Sequence, residues 1–344
     1  MAASGVRHLV DLDVEVAPDQ LVASLVPPPR FAAVRFETYQ PDPAQPTQRA
    51  ARDEAEAFAA ALDTRPAPAA RLFRRRAAAP PESRAGLYLD GGFGVGKTHL
   101  LASLWHAAPA PKAFATFVEL TNLVGALGFE ATVQALAGHR LLAIDEFELD
   151  DPGDTVLMSS LLSRLVERGV RLAATSNTLP DRLGEDRFAA EDFLREIQAL
   201  AAQFDVVRID GEDYRHRGLP HAPEPLTDAE VVAAAERTPG STLDDFAGLV
   251  EHLAAVHPSR YGAWVGDVTT VHLLGVRPLP DQAAALRLVV LVDRLYDRAV
   301  PVRASGTSFD GLFPADLLRG GYRKKYYRAL SRLTSLAEEG LVGV

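Results

Sequence analysis

The run Gly91-Gly92-Phe93-Gly94-Val95-Gly96-Lys97-Thr98 constrains this chain more than any other stretch. It has the spacing G-x-x-x-x-G-K-T, follows an apolar strand-like run (Gly86-Leu87-Tyr88-Leu89) and opens a helix-like run over 99–106. A turn this rich in glycine lets successive backbone N–H groups converge on one anion, and the helix that follows adds the positive end of its dipole. A lysine and a hydroxyl at the last two positions supply a charge for the β- and γ-phosphates and an oxygen ligand for Mg²⁺. The expectation is a strand–loop–helix that binds a nucleoside triphosphate through Gly91, Gly92, Phe93, Gly94, Val95, Gly96, Lys97 and Thr98, with Thr98 as a metal ligand.

From residue 86 onward strand and helix signals alternate, the pattern of an α/β fold with a parallel sheet and helices in the gaps. Strands are expected near 86–90, 114–120, 140–145, 170–176 and 205–210. Ahead of them lie a lead segment (1–30) ending in Pro27-Pro28-Pro29, a strand-like piece over 31–39 and a turn-rich stretch over 40–46. An Ala-rich helix over 47–62 and a Pro-, Ala- and Arg-rich connection over 64–85 follow. Breakers over 219–244 interrupt the alternation. The division read from this is a lead and linker (1–85), a phosphate-loop core (86–218) and a C-terminal lid or accessory region (219–344). Arg294-Leu295-Tyr296-Asp297-Arg298-Ala299-Val300 echoes the helix-then-strand unit Arg164-Leu165-Val166-Glu167-Arg168-Gly169-Val170, so the C-terminal region is expected to be a smaller α/β unit.

Bulk properties narrow the function classes. A net charge of −10 argues against a general nucleic-acid binder, because neutralising phosphates needs a basic surface. Cysteine is absent, which removes disulfides and thiolate metal sites and fits a reducing cytoplasm. No uncharged apolar run of membrane-spanning length occurs, and His8, Asp11, Asp13 and Glu15 stand where a signal peptide has its apolar core.

Leu141-Leu142-Ala143-Ile144-Asp145-Glu146-Phe147 is an apolar strand ending in two carboxylates. In a buried parallel sheet such an end lies beside the phosphate loop. Asp145 would hold Mg²⁺ through its water shell, and Glu146 would orient and deprotonate the attacking water. Glu148, Asp150, Asp151 and Asp154 read as a solvated helix start. The next strand, Val170-Arg171-Leu172-Ala173-Ala174-Thr175-Ser176-Asn177, ends on an amide, Asn177, that could bond both the γ-phosphate and the lytic water.

The order G-x-x-x-x-G-K-T, I-D-E-F, A-T-S-N resembles that of the AAA+ ATPases. The chain is more closely similar to the ZapE family of cell-division ATPases and their mitochondrial relatives. The resemblance rests on Pro27-Pro28-Pro29-Arg30-Phe31, Arg35-Phe36-Glu37-Thr38-Tyr39, residues 86–99, Asp145-Glu146-Phe147, residues 173–180, Asp213-Tyr214-Arg215, residues 291–300 and Arg328-Ala329-Leu330-Ser331-Arg332-Leu333. It implies an AAA+ P-loop NTPase fold with a central parallel sheet flanked by helices, ATP and Mg²⁺ as ligands, ATP hydrolysis, and ATP-dependent self-association into a ring. In such rings an arginine of one subunit reaches the γ-phosphate of its neighbour. Arg182, Arg187 and Arg195 are the candidates, with Arg187 preferred and Arg195 next. The chain departs from the family there, carrying Ala189-Ala190-Glu191-Asp192 where relatives have an arginine pair ahead of Phe193.

Two segments keep two readings each. Phe36 and Tyr39 match the piece expected near adenine, or else belong to the core. The tail Tyr322-Arg323-Lys324-Lys325-Tyr326-Tyr327-Arg328 offers Arg328 or Arg332 to the nucleotide or suits a binding surface. On helical spacing, however, Tyr326, Leu330 and Leu333 make a packing stripe. The function read from all this is an ATPase that remodels a protein partner, by resemblance in cell division, where a tubulin-like division-ring protein is the candidate. The alternative is a helicase-loader or initiator-like ATPase, in which Gly96-Lys97-Thr98-His99-Leu100 also occurs. The acidic balance weighs against the nucleic acid that the alternative requires.

Overall fold

The computed structural model describes residues 6–12, 18–63, 84–92, 94–148, 152–179, 194–211 and 221–342. The chain divides into two compact units, one of Ala17–Pro27 with Phe31–Arg217 and one of Met1–Val16, Pro28–Arg30 and Gly218–Val344. In the first, α1 (Pro18–Ala23), α2 (Pro46–Asp63), β1 (Gly86–Gly91), α3 (Lys97–Ala107), β2 (Lys112–Thr116) and α4 (Phe117–Leu127) come in that order. α5 (Phe129–Leu136), β3 (Leu141–Asp145), α6 (Pro152–Glu167), β4 (Arg171–Ser176), α7 (Leu194–Ala201) and β5 (Phe204–Ile209) complete it. The five strands form one parallel sheet in the order β2-β3-β4-β1-β5. This is the expected α/β fold, a central parallel sheet flanked by helices.

Burial follows the strand period of two. Leu87, Leu89, Leu141, Ala143 and Ala173 face α2 and α3, while Tyr88, Leu142, Ile144, Leu172 and Ala174 face α4 to α7. Because both faces are covered, β3 is buried along its whole length and reads as a continuous apolar run. The strand order puts the carboxyl ends of β3, β4 and β1 side by side, which collects the polar residues that end each run.

Three expectations change. β2 stops at Thr116 rather than running on to 120. There the Thr116 hydroxyl accepts from the Glu119 N–H (3.2 Å) and the Glu119 carboxylate accepts from the Thr116 N–H (2.7 Å), a capping box that starts α4. Residues 31–39 form no strand. A 3₁₀ turn at Pro29–Phe31 leads into them and a second lies at Phe36–Thr38, closed by the Arg35 N–H donating to Thr38 Oγ1 at 2.9 Å. Nor is 1–85 a separate lead: α2 packs on the sheet through the four-residue stripe Ala51, Ala55 and Ala59, joined by Leu62, while residues 6–12 belong to the second unit.

The second unit holds α8 (Asp228–Arg237), β6 (Thr242–Asp245), α9 (Phe246–His252), α10 (Tyr261–Trp264), β7 (Val271–Val276), α11 (Gln282–Asp297), β8 (Val302–Gly306) and α12 (Arg323–Val342). Its three strands are parallel in the order β6-β7-β8. The smaller C-terminal α/β region is thus present. Both sheet edges are covered: the Leu243 N–H bonds Arg7 O at 2.9 Å and the Leu226 N–H bonds Ala304 O at 2.9 Å. Among the described residues no helix is long and apolar enough to cross a membrane.

The echoed segments end their helices alike. The Val170 N–H reaches back to Leu165 O (3.0 Å) and the Val300 N–H to Leu295 O (2.9 Å), across a left-handed residue that is Gly169 (φ 92°) in one and Ala299 (φ 53°) in the other. A left-handed alanine costs about 1–2 kcal/mol, against about 0.5–1 kcal/mol of extra chain entropy for glycine. Ala299→Gly is therefore expected to stabilise this unit by about 0.5–1 kcal/mol. The reading is a higher denaturant midpoint at unchanged slope. A lower midpoint would refute the account.

Candidate functional site

β1 ends at Gly91, and the loop returns through Gly96 into α3. Gly96 lies at φ 85°, and a Cβ there would also stand 2.5 Å from Tyr39 Cε2. A Cβ on Gly91 would stand 2.4 Å from Ile209 O. Both positions therefore require glycine, one for its dihedral as well as its space and one for space alone. Tyr39 supports the same loop: its hydroxyl donates to Val95 O at 2.8 Å and its ring meets His99 edge-on at 5.6 Å. Tyr39 as a whole is only 7% exposed, so it lacks the open aromatic face that stacking on adenine requires. Phe36 is buried in the same core. Phe93 lies outside the described residues.

Lys97 Nζ donates to Gly91 O (2.8 Å), Gly92 O (2.6 Å) and Asn177 Oδ1 (2.9 Å). Burial lowers its pKa to about 8 despite the carboxylates of Asp145, Asp90, Glu148 and Glu146 around it. It is a partly desolvated cation held by neutral oxygens at the mouth of an anion-shaped loop, and a phosphate would favour its charged form. Thr98 Oγ1 donates to Asp145 at 3.1 and 3.2 Å to the two carboxylate oxygens. Asp145 is buried and also accepts from the Thr175 hydroxyl.

Glu146 follows in left-handed backbone at φ 53°, and its N–H donates to Thr175 Oγ1 at 3.1 Å. Below it Phe147 is fully buried, with edge-on contacts to Tyr88, Phe117 and Phe204, and its N–H bonds Thr175 O at 2.7 Å. Asn177 bridges the site, accepting from Lys97 and donating through Nδ2 to Glu148 Oε1 at 3.2 Å. Tyr88 steadies that turn by donating to Thr178 O at 2.7 Å. The structure thus brings Gly91, Gly92, Gly94, Val95, Gly96, Lys97, Thr98, Asp145, Glu146 and Asn177 to one end of the sheet.

Three residues of this network had no role assigned from the sequence, although Thr175 lies within the A-T-S-N run. Glu148 joins Asn177 instead of opening α6, which begins at Pro152. Tyr88 reads as a plain strand residue. Thr175 was legible only as the residue two before Asn177, hence on the same strand face. Among the described residues no group of three or more His, Cys, Asp and Glu could hold a metal. The oxygens of Thr98 and Asp145 are what the protein offers, a sparse hard-donor pair of the kind suited to Mg²⁺, which keeps waters and substrate oxygens.

The arginines fare differently. Arg182 and Arg187 lie outside the described residues, and Arg195 is exposed on the first turn of α7. Arg328 and Arg332 pair with Asp293 within the second unit, at 3.0 and 2.5 Å. Burial opposes the charge on Asp293, yet Arg328, Arg332 and Arg294 hold its carboxyl below the ordinary range. In that helix Tyr326 is buried and stacks on Phe313 at 4.8 Å, with Leu330 and Leu333 buried beside it, so the apolar stripe is packing.

A profile of the AFG1-like ATPase family matches residues 16–236 and 221–343. The cell division protein ZapE of Escherichia coli strain K12 is 35% identical over 149 residues, 40% of this chain and 40% of that protein. An uncharacterized protein of Schizosaccharomyces pombe is 29% identical over 153 residues, 39% of this chain and 34% of that one. The aligned stretch thus spans well under half the length of either relative. Among solved structures, domain III of the Thermotoga maritima replication initiation protein DnaA aligns with a TM-score of 0.38 and 18% identity, over 56% of this chain and 71% of that one.

Proposed function

Because this chain belongs to the AFG1-like ATPase family, we propose that it hydrolyses ATP at the carboxyl end of its five-stranded sheet and uses the cycle to remodel a protein partner. The observation that carries the reading is the convergence of Lys97, Thr98, Asp145, Glu146 and Asn177 from three strand ends on one glycine loop.

The loop N–H groups and Lys97 bind the β- and γ-phosphates, and Asn177, within reach of Lys97, orients the γ-phosphate and the water. Thr98 and Asp145 are the residues that would hold Mg²⁺, which when bound neutralises charge on the phosphates. Glu146 takes a proton as the water oxygen bonds to the γ-phosphorus and the bridging P–O bond breaks, releasing ADP and inorganic phosphate. A kinase would transfer the phosphoryl group to a substrate. Glu146 in the place of a water-activating base supports hydrolysis instead.

The likeness to ZapE supports division machinery as the setting, with a tubulin-like ring protein as the candidate partner, and the cysteine-free composition supports work in the cytoplasm. The site would be completed in a ring, with Arg187 given from the neighbouring subunit. ATP should then raise the oligomer's mass and hydrolysis should lower it again, because the γ-phosphate bridges subunits only while attached. Light scattering of the full chain measures this, and a single monomeric mass with and without ATP would sink the ring. Capture of one protein by Glu146→Gln with ATP, and its release with ADP, tests the remodelling reading.

A further inference from the structure

We infer that Thr175 is a positioning residue that sets both carboxylates of the site, an inference that rests on the hydrolytic reading above. Thr175 is 1% exposed on β4, and its hydroxyl has one proton to donate and lone pairs that accept. The O–H goes to Asp145 Oδ1, and the oxygen accepts the Glu146 N–H at 3.1 Å. Its carbonyl takes the Phe147 N–H at 2.7 Å. One residue thus bonds three consecutive residues of the neighbouring strand end.

Two of these bonds act on different parts of the chemistry. The bond to Asp145 fixes which way that carboxylate turns, and Thr98 Oγ1 lies 3.1 Å from its Oδ2. The bond to the Glu146 N–H holds a non-glycine residue in left-handed backbone, a conformation that persists only where its surroundings over-determine it. That backbone aims the Glu146 side chain. β4 therefore does more than present Asn177: through Thr175 it fixes the metal-side carboxylate and the base to each other.

Thr175→Val keeps the shape and removes the hydroxyl, taking away the acceptor of the Glu146 N–H and one of the donors to the Asp145 carboxylate. Turnover at saturating ATP should fall about 10- to 100-fold, the size usual for a residue behind a ligand. Thr175→Ser, which returns the hydroxyl, should recover most of it. A second readout avoids turnover. In the Glu146→Gln background, adding Thr175→Val should raise the Mg²⁺ concentration needed for half-maximal ATP binding. A residue that merely packs would lower the melting temperature without moving the Mg²⁺ requirement.

Should the valine variant fail to fold, Thr175→Ala carries the same two measurements. A folded Thr175→Val with wild-type turnover and wild-type Mg²⁺ dependence overturns the inference, as does a serine variant no better than valine. If Glu146→Gln itself turns over ATP normally, it is the hydrolytic reading that fails. The Mg²⁺ titration then still decides whether Thr175 sets Asp145.

Discussion

Glu146→Gln is expected to lower ATP turnover by about 10²- to 10⁴-fold, the loss typical of a general base, while leaving ATP binding intact. The amide has the shape of the carboxylate but cannot accept the water's proton. The bonds that hold the Glu146 turn involve its backbone N–H and the next residue, Phe147, so the substitution leaves them in place. Lys97, Thr98 and Asp145 keep their partners. A steady-state phosphate-release assay measures the loss, and a fluorescent ATP analogue measures retained affinity. Undiminished turnover would move the base elsewhere and reopen phosphoryl transfer to a substrate.

Much of the nucleotide-binding unit was legible because its signals are local. Strand-length apolar runs that end in Gly91, Asp145 and Asn177 report a sheet buried on both faces with polar residues at its carboxyl ends. Where the reading slipped, a side-chain bond overrode an apolar pattern. Phe117 and Val118 continue the apolar run of β2, but the Thr116–Glu119 capping box turns the chain into α4. Phe31 and Tyr39 suggested a strand, yet the segment carries 3₁₀ turns, and Tyr39 is buried where the second turn lays it against the loop. The role of α2 was hidden for another reason. Its buried face is alanine, whose small side chains say little about what they pack on.

Motif residues of the site could be named in advance because their types are tied to phosphate chemistry. The residues that position them could not. Thr175, Tyr88 and Glu148 act through partners 29 to 90 positions away, and only the strand order puts them together. Tyr39 illustrates the same limit: the segment that carries it could be linked to the nucleotide, but the hydroxyl bond to Val95 O depends on how α3 and the 3₁₀ turn pack. Arg328 and Arg332 show the converse. Their basic surroundings in sequence suggest an anion, and the anion they meet is Asp293 of their own unit.

Lys97→Ala should erase the stabilisation that ATP gives this protein, together with its hydrolysis. In the wild type, ATP at about 100 times its Kd adds about 2.7 kcal/mol to folding stability by mass action. For a unit of this size that is about 5–10 °C in melting temperature. The Lys97 ammonium lies at the loop mouth, already stripped of much of its water and held by Gly91 O, Gly92 O and Asn177 Oδ1, so the cost of burying it is met before ATP arrives. Charge-assisted bonds of this kind are worth about 1.5–3 kcal/mol, and losing one or two weakens binding by about 10- to 100-fold or more. At the same ATP concentration a Kd about 100-fold weaker leaves about 0.4 kcal/mol, a shift of about 1 °C. The ATP-dependent difference carries the test, since removing the side chain also frees three acceptors and can move the melting point of the nucleotide-free protein in either direction. Thermal melting of wild type and variant, each with and without ATP and Mg²⁺, measures that difference directly. An ATP shift of wild-type size in Lys97→Ala would mean that the triphosphate is not held by this loop, and the assignment of the site to the carboxyl end of the sheet would fall with it.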